Sequence, residues 1–197
     1  MKKIAIIGSA LSGGAAQIIE ALQENKEMTV ECILDRDINA IGKDVFNVPV
    51  IGSTDDILKF FKEGRFNAAS IAIGGDLIER ERLFAFCNDN GVEMVNVIAK
   101  SVLFGMNVRL GKGNVILNNC YFGNNVNIGD NNYILNQCSV QHDTKISNTN
   151  YLATNVKIGA KVSIGSNNRI GIGAIIETSS IIGNSNKIES AQIIKKQ

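Results

Sequence analysis

The sequence predicts two structural classes in one chain: a small doubly wound parallel α/β sheet over residues 1–100, then a parallel β-helix of hexapeptides over residues 101–197. Three observations predict it. In the first half, short aliphatic runs ending in glycine or a carboxylate alternate with segments of helical period. In the second half every sixth residue from Phe104 to Ile194 is Phe, Leu, Val or Ile, without a break. An asparagine also recurs every eighteen residues, at Asn114, Asn132, Asn150, Asn168 and Asn186.

Taken in order, Lys3–Gly8 reads as a buried strand and Ala15–Asn25 as an amphipathic helix. Thr29–Leu34 is a second strand ending at Asp35. Ser53-Thr54-Asp55 supplies N-cap chemistry for a helix over Asp55–Lys62. Ala68–Ile73 is a third strand, closed by Gly74-Gly75. Leu77–Asn90 is a helix with Gly91 at its C-terminal end, and Glu93–Ile98 is a fourth strand. This order gives a parallel sheet with crossover helices, Rossmann-like in its winding.

From residue 101 the period is six, which is neither strand nor helix. Three hexads separate successive asparagines, so one coil has three short strands and the cross-section is a triangle. Residues eighteen apart then stack about 4.8 Å apart, the spacing of neighbouring strands. The asparagine column forms either a ladder of amides or a corner of left-handed backbone. Cys120 and Cys138 share one column and read as small core filler.

Composition excludes several functions. Twenty Lys and Arg face nineteen Asp and Glu, so no basic excess points to nucleic acid or an anionic membrane. No apolar run reaches the length of a membrane span. Gly8, Ser9, Ser12, Gly13 and Gly14 interrupt the apolar N-terminal stretch, which argues against a signal peptide. Four cysteines without paired spacing point to a reducing, cytoplasmic setting. A single histidine cannot build a three-imidazole zinc site, and no metal is expected.

That histidine, His142, lies two residues beyond the inward Val140, near a corner and pointing outward. Asp143 follows it, a carboxylate able to orient an imidazole. Gln141 and Ser147 stand where neighbouring hexads carry glycine. His142 and Asp143 are therefore the candidate catalytic pair.

Several segments carry a resemblance. They are Gly8-Ser9-Ala10-Leu11-Ser12-Gly13-Gly14, Leu34-Asp35, Ala72-Ile73-Gly74-Gly75, and Val95-Asn96-Val97-Ile98-Ala99-Lys100-Ser101 leading into the hexads. Leu135–Asp143 and Asn155-Val156-Lys157-Ile158-Gly159 complete it. Over nearly its full length the chain resembles the bacterial hexapeptide-repeat sugar acetyltransferases of the sialic-acid O-acetyltransferase and UDP-4-amino-sugar N-acetyltransferase type. The resemblance implies a left-handed β-helix, a homotrimer, acetyl-CoA as co-substrate and a nucleotide-linked amino sugar as acceptor.

It implies roles as well. His142 is the general base, Asp143 orients it, and the Ala160 N–H stabilises the oxyanion. The pantetheine arm runs past Gly159, Ala160, Gly165, Gly171 and Ala174. The nucleotide sugar is held by Gly8, Gly13 and Gly14 at a helix N-terminus, by Asp35 and by Gly74 and Gly75. Arg80 reads as a solvated helix charge rather than a phosphate ligand. Tyr151 stands where the family often carries a second histidine. The family's Gly-Val-Pro-Ala tail is absent, so part of the acetyl-CoA site is expected to differ. N-acetylation of a UDP-4-amino-4,6-dideoxy sugar for glycan biosynthesis is the first reading. O-acetylation of sialic acid or another glycan sugar is the second, and a non-catalytic nucleotide-sugar-binding scaffold the third.

Overall fold

The computed structural model describes residues 1–8 and 10–196. Ser9, in the glycine-rich turn, and Gln197 lie outside the described residues. The chain divides into two compact units between Val97 and Ile98, rather than after Lys100.

The first unit is a six-stranded sheet with three helices. The strands are β1 (Lys2–Ile7), β2 (Met28–Leu34), β3 (Asp44–Val45), β4 (Val48–Gly52), β5 (Ala68–Ile71) and β6 (Glu93–Met94). The helices are α1 (Gly14–Leu22), α2 (Ile57–Lys62) and α3 (Leu77–Asp89). Helix α1 buries Ala15, Ile18 and Leu22 on one face. It stops short of Asn25 because the Asn25 side chain accepts the N–H groups of Glu27 and Met28, turning the chain into β2. Ser53 and Asp56 form a capping box over a 3-10 turn at Thr54–Asp56, so α2 starts at Ile57, two residues later than the spacing predicts.

The strand order is β3-β4-β2-β1-β5-β6, parallel throughout except for the β3–β4 hairpin. Sequence reasoning missed that hairpin. Its two turn residues, Phe46 and Asn47, have φ of 47° and 64°, and no glycine announces the turn. The winding reverses between β1 and β5, and a crevice opens beyond the carboxyl ends of strands at such a reversal.

Arg80 corrects a second expectation. It is 0% exposed, and its guanidinium donates to the carbonyls of Ile71 at 2.7 Å and Ile73 at 3.2 Å. A buried charge needs such partners. Here it ties the end of β5 to α3, so it is neither a solvated charge nor open to a phosphate.

The second unit is a stack of triangular coils. Its first side runs through the strands at Val115–Ile116, Tyr133–Ile134, Tyr151–Leu152, Arg169–Ile170 and Lys187–Ile188. The second side runs through Leu103–Phe104, Tyr121–Phe122, Ser139–Val140, Lys157–Ile158, Ile175–Ile176 and Ile193–Ile194. The third runs through Arg109–Leu110, Asn127–Ile128, Lys145–Ile146, Ser163–Ile164 and Ile181–Ile182. Every pairing is parallel and eighteen residues apart, as between Tyr121 and Ser139. The sixth-residue aliphatics from Ile116 to Ile188 pack inward as one core.

Each corner turns on a residue of positive φ, and this falls on every sixth position from Asn107 to Ala191. The asparagine column is the other alternative: an interior ladder one residue beyond one set of corners. Asn132, Asn150, Asn168 and Asn186 each donate their backbone N–H and side-chain amide to Oδ1 of the asparagine one coil before, at 2.8 to 3.1 Å.

Glycines that follow the aliphatics have a steric cause. A Cβ on Gly159 would lie 2.6 Å from the Thr178 nitrogen, and one on Gly171 would lie 2.5 Å from the Ser190 nitrogen, each one coil on. All four cysteines are buried free thiols. Burial pushes Cys32 up to about 11 and Cys87 up to about 12.

Candidate functional site

His142 and Asp143 occupy the corner between the second side, which ends at Val140, and the third side, which begins at Lys145. Asp143 is the corner residue itself, with φ of 58°, a conformation that aspartate tolerates better than most residues. The turn throws both side chains outward, 53% and 42% exposed. Imidazole Nδ1 lies 2.8 Å from Asp143 Oδ2. Opposite a carboxylate acceptor, Nδ1 carries the hydrogen, and Nε2 is left as the bare, basic nitrogen.

The other carboxylate oxygen, Oδ1, accepts the Asn125 amide at 3.0 Å. The bond from His142 first, and that from Asn125 next, hold the Asp143 carboxyl below the usual carboxylate range. Backbone stacking fixes the pair's height. Asp143 N–H donates to Asn124 O and Lys161 N–H donates to His142 O, both at 2.9 Å. Gly123 lies beneath, where a Cβ would stand 2.8 Å from the His142 nitrogen. Sequence reasoning named neither Asn125 nor Gly123 for the site. Both are found only by counting one coil back, seventeen and nineteen residues before His142.

Ala160 stacks one coil above His142. The two other corners differ: at one, the equivalent N–H groups of Asn136, Thr154, Ile172 and Ser190 also face no acceptor among the described residues, whereas the other uses its donors. There the N–H groups of Lys112, Asp130, Asn148 and Ser166 each donate to a side-chain oxygen one coil on, at 2.7 to 3.2 Å. Among the described residues, no acceptor faces the N–H of His142 or of Ala160. The corner therefore presents a base and an unused donor side by side along the coil axis. That pairing suits a reaction in which a proton is withdrawn while negative charge grows on an oxygen.

The residues expected along the pantetheine arm do not share one face. Gly159 and Ala160 lie at the His142 corner, Gly165 follows a strand of the third side, and Gly171 follows one of the first. Ala174 lies in the core. Its side chain is 0% exposed, its N–H donates to Gly171 O, and its carbonyl accepts Lys157 N–H. Tyr151 lies on the first side, across the triangle from His142. It stacks on Tyr133 with ring centroids 6.1 Å apart, and Arg169 lies over its ring at 5.0 Å. Burial raises the Tyr151 phenol above its ordinary value.

In the first unit, Gly8, Leu11, Ser12, Asp35, Arg36, Asp37, Thr54 and Ile73 line a cavity of about 280 Å³. Gly8 has φ of 84°, a conformation that favours glycine, and a Cβ there would stand 2.6 Å from the Ile73 side chain just beyond β5. Gly13, with φ of 90°, is the N-cap of α1, and Gly14 opens the helix, leaving backbone N–H groups at its start.

Asp35 stands on the wall of this cavity. Its carboxylate accepts the N–H of Ala10 at 2.6 Å and of Asp37 at 3.0 Å, and the residue is 6% exposed. It latches the glycine-rich turn to the end of β2. Exposed Arg36, which the sequence reading passed over, supplies the cation on the cavity wall. Gly74 and Gly75 lie between β5 and α3 and do not line the cavity.

Among the described residues, no group of three His, Cys, Asp or Glu side chains is placed to hold a metal ion. No helix among them is long and apolar enough to cross a membrane.

No protein-family model matches the chain, and a search of curated proteins finds no match. Solved structures do match. A histidine-to-alanine variant of GDP-perosamine N-acetyltransferase from Caulobacter crescentus, in complex with CoA and GDP-perosamine, is similar over 98% of this chain and 89% of that one. Its identity is 25% and its TM-score 0.90. A second Caulobacter crescentus structure, PerB with CoA and GDP-perosamine, matches over the same shares at 26% identity and a TM-score of 0.88. The acetyltransferase domain of PglB from Neisseria gonorrhoeae shares the fold, with 19% identity, a TM-score of 0.85, and coverage of 100% of this chain and 93% of that one.

Proposed function

We propose that the chain is an acetyl-CoA-dependent sugar acetyltransferase that N-acetylates an amino sugar carried on a nucleoside diphosphate. The single observation that carries this reading is the His142–Asp143 pair, with a bare Nε2 and an open Ala160 N–H one coil above it. The likeness to nucleotide-sugar N-acetyltransferase structures at 25% and 26% identity supports the same chemistry.

On this reading His142 Nε2 takes the proton from the acceptor amine as its nitrogen attacks the acetyl carbonyl. Asp143 holds Nδ1–H and stabilises the imidazolium that forms. The Ala160 N–H donates to the carbonyl oxygen as charge grows on it. The new C–N bond forms, the C–S bond breaks, and His142 returns its proton to the departing thiolate.

The first unit holds the nucleotide sugar in the cavity beyond β1 and β5, in the manner of a Rossmann-like sheet. Arg36 and the start of α1 face the phosphates. The second unit, a left-handed β-helix, is the acetyltransferase domain. The protein works as a homotrimer in the cytoplasm. Leu103 and Tyr121 at one end of the second side, and Ile175 and Ile193 at the other, stand exposed with Ser139 and Lys157 between them, apolar ends that packing of copies would cover.

The sequence reading placed UDP first among nucleotides, whereas the Caulobacter crescentus structures hold GDP-perosamine. The test therefore carries both. Thiol release from acetyl-CoA is followed with UDP- and GDP-linked 4-amino-4,6-dideoxy sugars, using wild type and His142→Ala. Turnover with one nucleotide series, abolished in His142→Ala, is the expected result. No His142-dependent turnover with any acceptor sinks the reading.

A further inference from the structure

We propose that Asn125 is a positioning residue for the catalytic pair: its amide fixes the Asp143 carboxylate in the rotamer that selects the Nδ1–H form of His142. The proposal rests on the acetyltransferase reading for its kinetic consequence, but not for its structural one.

The argument begins with exposure. His142 and Asp143 are neighbours in sequence on an open corner, and both side chains are about half in water. An exposed pair of this kind gains little from charge alone and has several rotamers to lose. No core packing holds the carboxylate. What holds it is the residue one coil below. Asn125 donates to Oδ1 at 3.0 Å while Oδ2 faces Nδ1 at 2.8 Å, so the two oxygens are engaged from different directions. The amide is itself steered, because Asn125 Oδ1 lies 3.3 Å from the Asn107 amide, one further coil down. An amide is the right group for this place. It gives Oδ1 a donor without adding charge, and it leaves Oδ2 as the stronger acceptor toward the imidazole.

Asn125 also permits a clean test. It has φ of 60°, and glycine holds the same hexad position on the two other edges, at Gly113 and Gly173, with φ of 69° and 66°. Asn125→Gly therefore removes the amide and leaves a backbone that suits the corner. Asn119, with φ of 60° at another corner, is the control: its backbone N–H donates to Ser101 Oγ, and its side chain supports neither His142 nor Asp143.

Because His142 is the only histidine, its ring nitrogens give unambiguous NMR signals in the full-length protein. Nitrogen shifts and acetyl-transfer kinetics are measured for wild type, Asn125→Gly and Asn119→Gly. In wild type and Asn119→Gly the neutral ring carries its hydrogen on Nδ1. In Asn125→Gly it shifts toward the Nε2–H form, and kcat falls about fivefold with KM for the amino sugar unchanged. An unaltered tautomer in Asn125→Gly overturns the proposal, and so does an equal loss in Asn119→Gly. If wild type transfers no acetyl group, the proposed function fails, while the nitrogen shifts still decide what Asn125 does.

Discussion

The backbone N–H of Ala10 donates to Asp35 Oδ2 at 2.6 Å, joining the glycine-rich turn after β1 to the end of β2. The same carboxylate accepts Asp37 N–H, so one buried side chain sets two of the cavity's walls. Replacing Asp35 by Ala leaves both donors without that acceptor, at a cost of about 1–3 kcal/mol to the first unit's stability. Denaturant melts measure the loss. KM for the nucleotide sugar is expected to rise while kcat holds, and an unchanged KM would argue against the latch.

Two glycines in the same hexad position should respond oppositely to an added methyl. A Cβ on Gly123 would stand 2.8 Å from the His142 nitrogen and 3.2 Å from its Cα. A Cβ on Gly183 meets nothing nearer than the Asn186 amide nitrogen at 3.7 Å. Gly123→Ala is expected to cost about 1–3 kcal/mol and to lower kcat by displacing the backbone that carries the base. Gly183→Ala should leave stability within about 0.5 kcal/mol of wild type. Paired melts and kinetics check both, and equal behaviour of the two variants contradicts the stacking argument.

The asparagine ladder should be weakest where it is cut in the middle. In Asn150→Ala the amide of Asn168 loses its acceptor inside the core. In Asn186→Ala the last rung among the described residues is trimmed, and no side chain among them donates to its Oδ1. We expect losses of about 3 kcal/mol and about 1 kcal/mol respectively. A reversed order in thermal or denaturant unfolding would show that the ladder is not what holds the coils in step.

Asp143 gives a prediction with a definite sign. Hydrogen bonds from His142 and Asn125 lower its carboxyl in the folded state. Its contribution is therefore complete above the unfolded value of about 3.9 and is lost as the pH falls through the lower folded value. Carboxyl NMR should place the midpoint below that of an ordinary aspartate. Any loss of activity on acidification that begins above about pH 5 then belongs to another group. Asp143→Asn should lower kcat by about a hundredfold through a wrongly held imidazole, with little effect on stability at neutral pH. A normal or raised midpoint would remove the basis for this.

Much of the second unit was legible because its signals are periodic. A slip of one residue would expose every aliphatic of the core, so the sixth-residue pattern fixes register and side without help from elsewhere. His142 was visible because it is the only histidine, and Asp143 because it follows as a carboxylate. What escaped was whatever depends on contacts that no period in the sequence reports. Arg80 has the look of a surface charge until the carbonyls of Ile71 and Ile73 are seen around it. Asp35 ends a strand as a ribose-binding acid does, and it accepts the N–H groups of Ala10 and Asp37. Ala174 falls beside Gly171 in the chain but faces the core. The hairpin at Phe46 and Asn47 gave no warning, since its turn lacks glycine.

The unbroken corner at every sixth residue from Asn107 to Ala191 makes the second unit a counting device. Six residues added anywhere below His142 would leave every aliphatic inside but rotate the catalytic corner to the next edge of the triangle. Eighteen would raise it by one storey and keep its bearing. The prism can therefore change length only in whole storeys if its chemistry is to keep facing the same way. A spliced or duplicated coil is tolerated in that quantum alone.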